Sequence, residues 1–181
     1  MSISVDQFEW AKTFVGFTDE DARHLSDLGV LVDLNGAAIT EHFYDVLQAT
    51  AETAVVIQGR VEMLKRTHSA YMKQLVAGSY GPDYFESRIR VGKVHVTQGI
   101  EPHWVEAVMS IIRTQLITMI SDHFADHEQR AAKSRAVLRI CDLDLLLINF
   151  AYSDERLERL SKFTGMGRKL IENVIKMPPK K

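Results

Sequence analysis

Arg88-Ile-Arg-Val-Gly-Lys-Val-His-Val-Thr-Gln-Gly-Ile-Glu-Pro-His-Trp104 is the stretch on which the reading of this chain turns. Val91 and Gly92 precede His95 by four and three residues, and Gly99 follows it by four. Positions three and four apart share one face of a helix, so His95 is set among small and short branched groups. That face predicts close approach by something large and flat. Gly99-Ile-Glu-Pro102 predicts the end of one helix and the start of another, with Gly past the end and Pro near the beginning. On this stretch alone, a core histidine satisfied by a local hydrogen bond and a metal-ligating imidazole both fit.

A second histidine sharpens the choice. A helix is expected from about residue 60 to 76, with Val61, Leu64, Tyr71, Met72 and Leu75 on its apolar stripe. His68 fills the gap in that stripe, four residues after Leu64 and three before Tyr71, so it faces the core. A buried imidazole without partners costs on the order of 1–3 kcal/mol. A carbonyl, Tyr44 or a metal each answers that need.

The rest of the chain has the same helical period and no sustained alternation, which predicts an all-α fold. A short helix is expected over Val5 to Val15, carrying Phe8, Trp10 and Phe14. Thr18-Asp-Glu-Asp21 reads as an N-cap with acids in the first turn. Leu31, Leu34, Ala38, Phe43 and Val46 mark a further helix, which also carries His42 and Tyr44, and Val55-Val-Ile57 reads as an apolar turn closed by Gly59. Two long helices are expected at about 104–124 and 128–152. The later part of the second, Leu143 to Tyr152, is apolar nearly all round, so one side can face the core and another a partner subunit. After Asp154 comes a charged run with a narrow stripe at Leu157, Leu160 and Phe163, ending in Pro178-Pro-Lys-Lys181. It reads either as a linker leading into a coiled coil or as a docked terminal helix.

Composition bounds the function. The apolar share is 46%, the charged share 25% and the net charge −2, which offers no electrostatic case for nucleic acid. Cys141 is the single cysteine, so an internal disulfide and a cysteine-based zinc site are excluded. The start, Met1-Ser-Ile-Ser-Val-Asp-Gln-Phe-Glu-Trp10, has no signal-peptide pattern, and Leu143 to Tyr152 is too short to span a bilayer. A cytoplasmic location is expected, including as the cytoplasmic part of a membrane-attached protein. No nucleophile–base pair or phosphate loop is present, so no enzyme is expected.

His68 and His95 lie on consecutive helices joined by a Gly/Pro turn, with no carboxylate beside either. A hydrolytic zinc site needs three protein ligands, and a di-iron bundle needs Glu-x-x-His pairs. Two lone histidines across an apolar slot suit haem iron, whose other four ligands come from the porphyrin. His42 and His103 read as surface, and Arg88, Arg90 and Lys93 read as a solvated face with haem propionates as the second option.

Phe43-Tyr44, Leu64-Lys-Arg-Thr-His68 running to Ala77-Gly78, and His95-x-x-x-Gly-Ile-x-Pro-x-Trp104 resemble the globin-coupled sensors, the family of haem-based aerotaxis transducers with protoglobins as relatives. The resemblance covers residues 1–155, read as the sensor globin domain, with 156–181 as a C-terminal helical linker or tail. It implies a globin fold (a 3-over-3 helical sandwich with an extra N-terminal helix), haem b, and a homodimer through the last two globin helices. It also implies a diatomic gas ligand, oxygen first, and an output module at the C-terminus. By the motif match His95 is the proximal iron ligand and Tyr44 the distal tyrosine that hydrogen-bonds oxygen. Leu64 and Val91, one turn before the two histidines, complete the expected cofactor-binding set. The chain departs from the pattern at His68, where the family usually has an apolar residue. A histidine there can itself take the sixth iron position, giving a bis-histidyl site that senses gas or redox state. A cofactor-free helical dimerisation domain and a globin with peroxidase or dioxygenase activity are the other readings.

Overall fold

The computed structural model describes residues 4–178, so the readings at residues 1–3 and 179–181 lie outside it. Among the described residues there are nine helices and no strand. They are α1 (Val5–Phe14), α2 (Asp19–Ser26), α3 (Gly29–Ala49), α4 (Ala51–Ile57), α5 (Val61–Leu75), α6 (Pro82–Thr97), α7 (Pro102–His123), α8 (His127–Thr164) and α9 (Arg168–Ile175).

The chain punctuates these helices with caps legible in the sequence. Thr18 accepts from the Asp21 amide while the Asp21 carboxylate accepts from the Thr18 amide at 2.8 Å, a reciprocal capping box. Pro82 and Pro102 occupy first-turn positions of α6 and α7, where a missing N–H costs nothing. Gly99, at φ +69°, takes the left-handed turn between those two helices.

Helix α8 is the axis of the structure, with α2, α6 and α7 packed along it. Helix α3 carries α4 and α5 and also meets α7. One core of Phe8, Leu25, Leu28, Met72, Leu75, Leu116, Ile120, Ile140, Leu143 and Leu147 joins these layers. A smaller cluster of Val105, Ile148 and Tyr152, flanked by Val91, Val96 and Ile100, lies at the His95 end of α6.

The structure departs from the sequence reading at several points. Val55 to Ile57, read as a turn, belongs to α4, and Gly59 at φ +72° closes it. Gly92 does not clear space for a flat group. A Cβ there would lie 2.5 Å from the Cβ of Ala151 and 2.8 Å from the Ile148 carbonyl, so the close approach it permits is that of α6 on α8. Finally, α8 does not stop at Tyr152. Glu155–Arg159 and Glu158–Lys162 pairs at i,i+4 continue it to Thr164. Gly165, at φ +72°, then turns the chain and α9 folds back, with Arg168 paired to Asp154 and Glu158 and Ile171 buried. No described helix is long and apolar enough to cross a membrane.

Candidate functional site

His68 points from α5 into the layer between α5 and α3 and is 8% exposed. Its Nδ1 lies 2.9 Å from the Thr40 hydroxyl on α3. The ring is tilted over Phe43 at 4.3 Å between centroids, with Tyr44 edge-on at 6.0 Å and Tyr71 at 6.3 Å. Its Nε2 is buried and has no hydrogen-bond partner. Burial lowers its pKa from 6.5 to about 4, so the imidazole is neutral near pH 7. A neutral ring with one buried, unpartnered nitrogen is the state in which histidine binds a metal.

His95, on α6, is half-buried and likewise has one ring nitrogen held by a neighbour. Its Nδ1 lies 2.7 Å from the Val91 carbonyl. A carbonyl only accepts, so Nδ1 carries the proton and Nε2 holds a lone pair. Burial lowers its pKa, and the Val91 hydrogen bond opposes this only in part. Tyr152 of α8 is the nearest ring, at 6.5 Å. The hydrogen bond at Nδ1 fixes ring orientation and tautomer, the role that an outer-shell partner plays at a metal-ligating histidine.

The two histidine helices follow each other in sequence but pack on different supports. Helix α5 lies on α3, and α6 lies on α8. Helices α5 and α6 are not a closely packed pair. They meet near their shared turn, where Gln74 accepts from Ser87 and Arg88. The arrangement sets two neutral imidazoles on separately anchored helices. Among the described residues no group of three or more His, Cys, Asp or Glu gathers to hold a metal ion. The donor set therefore fits a metal that brings most of its own ligands, as haem iron does.

Tyr44 is buried beside His68, and burial raises its pKa to about 12, so it remains a hydroxyl donor. Among the described residues its hydroxyl makes no hydrogen bond. Leu64 is partly buried against the main core and Val91 against the smaller cluster near His95. His42, His103, Arg90 and Lys93 are exposed, as read. Arg88 is a correction. It is fully buried, not on a solvated face, and its Nε donates to Asp144 Oδ2 at 2.7 Å. The tyrosines Tyr71 and Tyr84 both donate to the same carboxylate. Their rings lie 4.5 and 4.1 Å from the guanidinium carbon.

Sequence reasoning missed Thr40 and the Arg88–Asp144 centre. Thr40 stands four residues before Tyr44 on the same face of α3, a polar residue in a buried stripe that repeats the signal given by His68.

A family model for protoglobins matches residues 5–158. The heme-based aerotactic transducer HemAT of Halobacterium salinarum is 26% identical over 172 residues, covering 87% of this chain and 35% of that protein. The chain thus spans about a third of the length of that relative. The globin domain of the Geobacter sulfurreducens globin-coupled sensor superposes with a TM-score of 0.77 at 33% identity, over 80% of this chain and 96% of that one. The globin domain of E. coli DosC, in its ferric form, has the same fold, with a TM-score of 0.68 at 12% identity, over 78% and 97% of the two chains.

Proposed function

The chain belongs to the protoglobin family, and we propose that it is a haem-binding sensor globin that reports a diatomic gas, oxygen first, or redox state through a bis-histidyl site. One observation carries this reading: the buried, neutral His68 whose Nε2 has no partner. His95, with Nδ1 held by Val91, would be the proximal ligand of the iron, and His68 would be its second protein ligand. Leu64, Val91 and Tyr44 would line the haem pocket. When bound, haem b supplies an iron that exchanges electrons and takes gas ligands.

The protein's own part is to hold and release an imidazole. A gas would have to compete with His68 for the iron, so apparent affinity would be reduced to the fraction of molecules in which His68 is not held there. Without that tie α5 would be free to shift against α3. Tyr71, one turn beyond His68, donates to Asp144 of α8 at 2.7 Å, so the movement reaches the axial helix. Tyr44, whose hydroxyl has no hydrogen-bond partner among the described residues, would donate to a bound gas. Beyond the domain, α8 is latched to the corner after His95. Tyr152 donates to the Ile100 carbonyl, Arg156 pairs with Glu101 and Arg159 donates to Thr97, each at 2.8 Å. A change at His95 is thereby conveyed to the segment after residue 155, which serves as the linker to an output module. HemAT, a much longer protein named as a transducer, supports such a module. Leu138 and Phe150 of α8 keep 42% and 38% of their surface exposed, in keeping with a homodimer through α7 and α8. The reading is of a cytoplasmic sensor and not of an enzyme.

Titration with hemin tests it. The parent takes up one haem per chain and His95→Ala takes up little. A colourless parent that binds no hemin would leave the cofactor-free dimerisation domain as the better account.

A further inference from the structure

We infer that Thr40 is the positioning residue of His68: its hydroxyl accepts from Nδ1–H, fixes the tautomer with a lone pair on Nε2, and so sets how strongly His68 competes with a gas for iron. This rests on the bis-histidyl reading above. The observation behind it is a pair of facts about one ring. Nδ1 has a single partner, the Thr40 hydroxyl at 2.9 Å, and Nε2 has none.

A threonine hydroxyl can donate or accept, so geometry alone allows two tautomers. With Thr40 donating, the proton sits on Nε2, and a buried N–H is left without an acceptor. Hydrogen bonding alone does not choose, because with Thr40 accepting its own hydroxyl proton has no further acceptor among the described residues; the choice falls to the metal, which needs a free lone pair on Nε2. With Thr40 accepting, Nε2 keeps only a lone pair, which an iron can take up. His95 shows the same plan with no ambiguity, its Nδ1 held by a carbonyl. The two partners differ in kind. Val91 is a neighbour on the same helix, so its bond travels with His95. Thr40 stands on α3, across a helix interface, and is itself buried. When α5 shifts, the Thr40–His68 bond is strained or broken while the His95–Val91 bond is not. Thr40 therefore weighs on the ligand that must leave and has no counterpart on the ligand that must stay.

Loss of an outer-shell partner at a metal-bound histidine costs about 10- to 100-fold in affinity for the metal. Thr40→Val keeps the shape and removes the acceptor, and Thr40→Ser keeps the acceptor. The readout is the rate at which carbon monoxide replaces His68 in the ferrous haem-loaded protein, with His68→Ala alongside. Thr40→Val should react about 10- to 100-fold faster than the parent, and Thr40→Ser within about three-fold of it. A parent-like rate for Thr40→Val, with His68→Ala fast, would overturn the role of Thr40 and leave the bis-histidyl site standing. If His68→Ala itself keeps the parent's rate and absorption bands, the bis-histidyl reading falls and the inference with it. A second measurement needs no haem. Nitrogen-15 NMR of the haem-free parent should show His68 protonated on Nδ1, with the population moving toward Nε2–H in Thr40→Val. A parent ring protonated on Nε2 would overturn the assignment even if Thr40→Val fails to retain haem.

Discussion

Arg88 of α6 and Asp144 of α8, both fully buried, meet at 2.7 Å in the middle of the protein. Burial raises the Asp144 carboxyl above its usual value, while the guanidinium and the Tyr84 and Tyr71 hydroxyls oppose this. The pair is the point at which both histidine helices are tied to α8: α6 directly through Arg88, and α5 through Tyr71. Removing one member strands the other charge in the core, which costs about 3–5 kcal/mol. Asp144→Ala should therefore lose about that much in a urea melt, while Arg88→Met with Asp144→Leu should recover a large part of it. A loss for Asp144→Ala below about 1 kcal/mol would show that the pair is not the tie described.

Gly92 tests the α6–α8 contact. An alanine Cβ would meet Ala151 Cβ at 2.5 Å and the Ile148 carbonyl at 2.8 Å. Gly92→Ala should destabilise by about 1–3 kcal/mol, the usual cost of forcing bulk into a packed contact. Ala151→Gly in the same chain should restore part of it, because only one of the two clashes is relieved. Thermal melts of the single and double variants decide this, and a neutral Gly92→Ala would contradict the packing.

These two sites also show where the sequence was readable and where it was not. Caps are local, so Thr18, Pro82, Gly99 and Pro102 announced their helix ends without the fold. His68 was visible because it broke an apolar period within a single helix. Arg88 was hidden because one charge among Arg90 and Lys93 has the local pattern of a solvated face. Its partner lies on α8, far along the chain, and no period connects the two. Gly92 showed that something comes close to α6 but not whether that is a cofactor or a helix. The extension of α8 past Tyr152 was masked by its charges, which mark a change in surroundings and not a break in the helix.

The haem-free protein should weaken in acid for a reason located at His68. Its folded pKa, about 4, lies below the ordinary 6.5 because of burial. As pH falls from 6.5 toward 4, the unfolded chain takes up the proton first. The stability His68 lends is thus present above pH 6.5 and is lost through that window, to the extent of about 3 kcal/mol. His95, also lowered by burial, acts in the same direction. His68→Leu should flatten the slope of melting temperature against pH in that range, and an unchanged slope would place the acid sensitivity elsewhere.

Tyr44 gives a test of the distal side. Its hydroxyl stays protonated to about pH 12 and makes no hydrogen bond among the described residues. If it donates to bound oxygen, Tyr44→Phe loses a bond worth about 1 kcal/mol, which makes oxygen dissociation several-fold faster. Stopped-flow dissociation rates that do not differ between the two proteins would remove Tyr44 from the ligand pocket.

The central claim is that His68 and His95 hold the same iron. Absorption spectra of the purified protein, ferric and dithionite-reduced, with and without carbon monoxide, test it most directly. The account predicts sharp, split low-spin bands in both oxidation states, replaced slowly by carbon monoxide as His68 leaves. Broad high-spin ferrous bands with immediate carbon monoxide binding would contradict it, leaving His95 alone on the iron.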